Sequence, residues 1–435
     1  MCDMIDSWIK HHRMLRIDNL DGADDLWRVK RNSILMIYRT ALRGRVIPAK
    51  PYVYSSHHAD IRQIPELNAI ICDTHFLDIA QLVASSFYVS PTHDITRLAD
   101  ALLANSLLCH GKVTLALKYA RRFISGPYDA VLHSLKNDDL LYRIRSSVGL
   151  QTSFALLHEI AHFECDNPHN LLAGLFRTRL YEVIDSQNEI SQYINALDIT
   201  AITPYLDKTV FKMAFSNPPP KNYIKIILEG HKQILSIISK YGHKVQMPEV
   251  SDIERKQLLL WASKNYLLGR RALMLDRETL ATEGVCDLLA LFELLDYGVP
   301  GLERTETLEL IIDAYALSLL TLDLIHYAMN ALKYAKDDGY KYVDSIYMRR
   351  EKERLLLPGV MSFHSIAYRN SLSGEEIDML CDRFSDAAET CDVMYTRFCD
   401  YVSLEDFNED TFIPHGSPEW FRIYAEINHL LRYPV

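Results

Sequence analysis

Ser153-Phe154-Ala155-Leu156-Leu157-His158-Glu159-Ile160-Ala161-His162-Phe163-Glu164 is the stretch from which the rest of the chain is read. Its apolar positions recur at helical spacing, and Ser153 is a suitable N-cap, so the pattern predicts a helix over Ser153 to Glu164. His158 and His162 are four residues apart and therefore share one face of that helix. Two imidazoles on one face can hold one metal ion, and Glu159 between them stands where it can take a proton from water at that ion. The expected metal is Zn2+, which is satisfied by His and carboxylate ligands.

Composition sets the frame around this helix. The chain has 435 residues, 49% hydrophobic and 24% charged, the balance of an ordinary globular protein. Its 16 glycines and 16 prolines are about 7% of the chain against a typical ~12%, so long uninterrupted elements are expected. The formal charge of −10 argues against a surface built to neutralise nucleic-acid phosphates. The eight cysteines form no CxxC pair, which excludes a zinc ribbon and a thioredoxin-like site. A chain this long buries a large core without disulfides, so reduced thiols and a cytoplasmic protein are expected. No apolar leader follows Met1, and the most apolar stretch, Leu308 to Leu332, contains Asp313 and Asp323. It reads as a buried core helix, and no membrane association is expected.

Helical periodicity dominates from Ile95 onward, with candidate helices over 98–108, 112–124, 129–148, 177–197, 222–241, 253–275 and 280–295. Short runs rich in β-branched and aromatic residues are confined to about 51–90: Tyr52-Val53-Tyr54, Asn68-Ala69-Ile70-Ile71-Cys72-Asp73 and Phe87-Tyr88-Val89. The fold class is therefore mainly α (α+β), a multi-helix protein with a small N-terminal sheet. Asn217-Pro218-Pro219-Pro220 is the strongest breaker cluster.

A hydrolytic zinc site takes three protein ligands and leaves a position for water. A third His at the spacing used by metzincins is absent, because Cys165 and Pro168 occupy the Gly and His positions of that pattern. The other solution is a Glu from a later helix. Thr282-Glu283-Gly284-Val285-Cys286-Asp287 supplies Glu283 within a run otherwise rich in Leu and Ala, where a buried acid needs a partner. Asp287 lies four residues on, on the same face, and can accept a hydrogen bond from the non-ligating nitrogen of His158. An HExxH helix followed by ExxxD resembles the gluzincin class of zinc metallopeptidases. About 120 residues separate His162 from Glu283, longer than most gluzincins show, which implies a helical insertion over about 176–275 between the ligands.

Two further segments carry the resemblance. Ser362-Phe363-His364-Ser365-Ile366-Ala367-Tyr368-Arg369 is similar to the SHP-x-x-x-x-R-like segment of the prenyl-protein endopeptidase and heat-shock membrane peptidase families, with Ser365 at the position of the Pro. That likeness implies that His364 and Arg369 face the metal and stabilise the oxyanion of a tetrahedral intermediate. Asn68, Ala69 and Ile70 resemble the Asn-Ala edge strand of the same families, which implies main-chain pairing with an extended peptide. The order of strand, HExxH helix, ExxxD helix and His/Arg loop resembles the Lit-type phage-exclusion peptidases. The resemblance implies a cytosolic protease acting on a protein or peptide substrate, in defence or stress.

The expected organisation is an N-terminal helical region with the short sheet (1–150), a metal-binding core containing the insertion (151–300) and a C-terminal helical region carrying the His/Arg loop (301–435). Two other readings stand beside the peptidase. Glu159-x-x-His162 with Glu426-Ile427-Asn428-His429 gives the two ExxH elements of a di-iron carboxylate bundle, with Glu283 a further ligand. Alternatively, a non-catalytic helical interaction protein keeps the metal as a staple. The pairs His11-His12 and His57-His58 cannot chelate from one helix face, and the charged run Met348–Arg354 reads as a solvated surface.

Overall fold

The structure is a computed structural model. It describes residues 15–16, 25–42, 47, 49–55, 59–89, 95–125, 138–165, 170–206, 223–247, 249–267, 271–272, 274–334, 372–403, 405, 407, 413 and 417–430. His364, Arg369 and the rest of the 362–369 segment lie outside the described residues, as do His11, His12, His57, His58, the charged run at 348–354 and the Pro218–Pro220 cluster.

Among the described residues the chain is mainly helical, as the scarcity of Gly and Pro predicts. The helices are α1 (Asp25–Leu42), α2 (His75–Val89), α3 (Ile95–Cys109), α4 (Val113–Ser125), α5 (Asp138–Ala161), α6 (Leu171–Ala196), α7 (Tyr223–Tyr241), α8 (Asp252–Leu267), α9 (Arg277–Leu294), α10 (Arg304–Tyr334), α11 (Gly374–Ser403) and α12 (Pro418–Leu430). A small sheet is built from β1 (Leu15–Arg16), β2 (Lys50–Ser55), β3 (Ile61–Ile64) and β4 (Ala69–Asp73), in the order β1-β2-β4-β3. No described helix is long and apolar enough to cross a membrane.

Two compact units result. One comprises Met1–Arg177 with Thr282–Val435, and the other Thr178–Ala281. In the larger unit, α5 is held from several sides. Gln151 donates to the Ala80 carbonyl of α2 at 3.4 Å and accepts from Thr321 of α10 at 3.1 Å. Phe154 meets Tyr315 edge-on with centroids 5.2 Å apart, and Tyr315 stacks on Phe384 of α11. α10 is the buried apolar helix expected from Leu308–Leu332. Its Asp313 is matched by a two-pronged bond from Arg383 at 2.7 and 2.6 Å, with the Tyr88 hydroxyl at 3.1 Å. In the smaller unit, Ile194, Ile202, Ile234, Ile238 and Leu259 form a separate core. There the Asn188 and Asn195 amides of α6 bond both the N–H and the C=O of Leu275 and Ala272, as a strand partner would.

Three expectations are corrected. Ser153 is not an N-cap: α5 runs unbroken from Asp138, and Ser153, buried within it, returns its hydroxyl to the Gly149 carbonyl at 2.9 Å. Phe87-Tyr88-Val89 ends α2 and is not a strand, because tertiary partners such as Asp313 override its β propensity. The Asn68-Ala69-Ile70 segment is not an edge. β4 pairs in parallel with β2 and antiparallel with β3, and all five of its residues are buried. Ile70 and Cys72 face the helical core, while Ala69 and Ile71 face a second cluster with Tyr54 and Leu67. A strand buried on both faces reads as a continuous apolar run, which is what Ala69–Cys72 is. Asn68 instead takes a left-handed conformation (φ 47°) that closes the turn from β3 into β4. The strand at that end of the sheet is β3.

Candidate metal centre

The HExxH residues occupy the end of α5. His158 lies in the last turn, and the His162 N–H still bonds the His158 carbonyl at 3.3 Å as the chain leaves the helix. The tight turn that follows places the Cys165 N–H 2.7 Å from the Ala161 carbonyl. The two imidazole centroids are 4.9 Å apart with ring planes at 80°. One ligand atom each from His158, Glu159 and His162 falls within 4.8 Å of the others.

α9 faces them with three side chains, each addressing particular ring nitrogens. The Glu283 carboxylate lies 3.3 Å from His158 Nε2 and 3.8 Å from His162 Nε2. Asp287, fully buried, is 2.7 Å from His158 Nδ1. The Cys286 sulfur is 3.4 Å from His162 Nδ1. Residues 283, 286 and 287 share a face because they are three and four apart. The opposite face of α9 carries the buried Val285 and Leu288, with Phe292 packing on Phe176 at 6.3 Å.

The donor set fits a small tetrahedral cation. Ligand atoms about 2.1 Å from a common ion lie roughly 3.4 Å from one another in tetrahedral geometry. Glu283 Oε2 stands at that spacing from His158 Nε2 (3.3 Å), and Glu283 Oε1 stands wider from His162 Nε2 (3.8 Å). Asp287 at Nδ1 leaves Nε2 of His158 as the ligating nitrogen. Glu159 turns the other way. Its Oε2 accepts the Gln63 N–H of β3 at 2.6 Å, so the carboxylate is pinned between the histidines and the outer edge of the sheet.

The electrostatics agree with a site that concentrates negative charge. Burial works against a charged His158, yet the Asp287 carboxylate beside it, with Glu283 and Glu159, holds its pKa up at about 10. His162 is shifted up in the same sense: burial opposes it, and the Cys165 thiol and the Glu159 and Glu283 carboxylates prevail. Burial pushes the Glu159 carboxyl up against the pull of both imidazoles and the Gln63 N–H. Asp60, ion-paired with Arg62 at 3.0 Å, adds to that rise. A divalent cation placed among these acids would relieve their mutual repulsion.

The structure thus brings together His158, Glu159, His162, Glu283 and Asp287. Glu426 is elsewhere: it sits on α12 and pairs with Arg121 at 2.7 Å, so it does not complete a di-iron set with Glu159. The spacing argument did not single out Cys165, Cys286 or the Gln63 main chain as neighbours of the site. The signal available for Cys286 was its place three residues after Glu283 and next to Asp287. Comparison with family models, with curated proteins and with solved structures returned no match.

Proposed function

We propose that this protein is a zinc-dependent endopeptidase in which His158, His162 and Glu283 hold the metal. The observation that carries the reading is the convergence of the two Nε2 atoms on the Glu283 carboxylate, with Asp287 behind His158 and Glu159 at its side. Zn2+ bound there supplies a Lewis acid that makes water nucleophilic near neutral pH and polarises a carbonyl. Asp287 keeps the His158 tautomer fixed. Glu159, whose carboxyl burial pushes up, takes the proton of the attacking water and returns it to the departing amine.

β3 supports a peptide as the substrate class. It ends the sheet, and its Gln63 N–H donates to Glu159 at 2.6 Å, which sets this edge beside the site. An extended chain laid along that edge would pair with it through main-chain hydrogen bonds and bring a peptide carbonyl to the metal. His364 and Arg369 keep the oxyanion-stabilising role that the family resemblance implies. No nucleic-acid or membrane partner enters this reading, and a cytoplasmic role in defence or stress remains part of the proposal.

The test uses zinc-loaded protein on a mixture of quenched fluorescent peptides. Glu159→Gln preserves shape and metal content but removes the base, and cleavage is expected to fall by about 10²–10⁴-fold. Cleavage by the Gln variant at the wild-type rate would sink the mechanism.

A further inference from the structure

Beside the Nε2 atoms assigned above, the other nitrogen of His162 faces a different set of donors. Its Nδ1 is 3.4 Å from the Cys286 sulfur, and a ring nitrogen of His162, Cys286 Sγ and Cys165 Sγ all lie within 4.8 Å of one another. Both thiols are buried and neither is in a disulfide, and the Cys165 Sγ–H donates to the His162 carbonyl at 3.5 Å. Their positions are fixed from independent elements. Cys165 is held by the turn after α5, where its N–H meets the Ala161 carbonyl and its own carbonyl accepts from Arg177 at 3.3 Å. Cys286 is carried by the same α9 face as Glu283 and Asp287.

We propose that Cys165, Cys286 and His162 Nδ1 form a second metal site, for a thiophilic divalent cation such as Zn2+, Cd2+ or Co2+, joined to the first through the His162 ring. Two thiolates and one imidazole nitrogen are a Cys2His donor set, leaving the fourth tetrahedral position for water or substrate. With sulfur about 2.3 Å and nitrogen about 2.1 Å from the ion, a sulfur and a nitrogen ligand lie roughly 3.6 Å apart. The Cys286–His162 contact is already at that spacing. Binding exchanges protons for the cation: each thiol releases one to solvent, and the ring releases its N–H proton when both of its nitrogens are ligated. No oxidant takes part.

One imidazole then belongs to two sites with different tastes. The oxygen-containing set around Glu283 suits a hard or borderline ion, whereas the thiolate set selects a softer one. Loading both sites costs the ring its last proton and holds two cations on one imidazolate, so filling the thiolate site lowers the affinity of the first.

Cobalt titration of the full chain reads the two sites separately, because only thiolate ligands give an intense sulfur-to-cobalt charge-transfer band. The expected result is that band in the wild type, its loss in both Cys165→Ser and Cys286→Ser, and its retention in Glu283→Gln. The double variant His158→Gln/Glu283→Gln removes the first site alone and separates the two proposals. A thiolate band that persists in that double variant supports the second site, and a Cys165→Ser/Cys286→Ser double variant that binds no cobalt refutes the peptidase ligand set. Saturating cobalt that produces no thiolate band in the wild type would overturn the second site whatever the first does.

Discussion

Asp287 offers the sharpest quantitative test of the metal centre. It is fully buried, and its Oδ1 lies 2.7 Å from His158 Nδ1. The substitution Asp287→Asn keeps the volume and leaves an amide oxygen that can still accept, but it removes the charge. It also offers an NH2 group that can donate to Nδ1, moving the ring proton to Nε2 and cancelling the lone pair that faces Glu283. Loss of such a partner behind a ligating histidine typically weakens metal binding by about 10–100-fold, or about 1.4–2.7 kcal/mol. Competition for Zn2+ against a chromophoric chelator at fixed pH measures that difference directly, with circular dichroism confirming the helical fold. At saturating zinc the metal-dependent stabilisation should shrink by the same amount. A folded Asn variant that binds zinc as tightly as the wild type would refute the assignment of His158 Nε2 as a ligand.

Three further outcomes are expected away from the metal. Arg383→Met strands the buried Asp313 carboxylate and should cost about 3 kcal/mol in urea unfolding, most of it recovered in the Arg383→Met/Asp313→Asn double variant. Burial pushes Asp100 up to about 7 against the pull of Arg122, with Glu405 adding to the rise. Its folded pKa therefore exceeds the unfolded value, so stability is highest below about pH 4 and is lost as pH rises towards 7, by at most about 4 kcal/mol. Asp100→Asn should flatten that part of the pH–stability curve. In the smaller unit, Asn195→Ala removes both main-chain partners of Ala272 and should cost about 1–3 kcal/mol, with faster hydrogen exchange at the Ala272 amide.

Some of this arrangement was open to reading in the chain itself. Helix-period spacing carries direction as well as type, so His158/His162 and Glu283/Asp287 could each be placed on one face, and the Asp287–His158 pairing followed from that placement. The apolar Leu308–Leu332 run also kept its meaning, since its two acids are buried within a helix of the core. Strand neighbours were harder. Nothing local in Asn68–Asp73 names its partners, although the unbroken apolar run Ala69–Cys72 carried the signature of a central strand. Ser153 misled because a hydroxyl that caps a helix start can equally bond back within a helix, and the choice depends on residues upstream. Cys165 and Cys286 lie 121 positions apart, and thiols bear no periodic pattern that would pair them; only the meeting of the α5 turn with α9 does so.

That meeting explains why the site tolerates so long an interruption between its ligands. Among the described residues, Glu283, Cys286 and Asp287 meet the two imidazoles at the end of α5 from one face of α9, both in the larger unit. The 178–281 segment leaves and rejoins the chain between these elements and has its own core, so it adds no described contact to the imidazoles. The geometry of the centre is instead fixed by contacts at either side of it: Gln151 and Phe154 lock α5 onto α2 and α10, and Phe292 locks α9 against Phe176. Sequence separation between ligands is then a poor guide to whether they meet, because closing a longer loop costs only about 0.6 kcal/mol for each doubling of its length. Burial of the apolar side chains of α9, Val285 and Leu288 among them, offsets that cost.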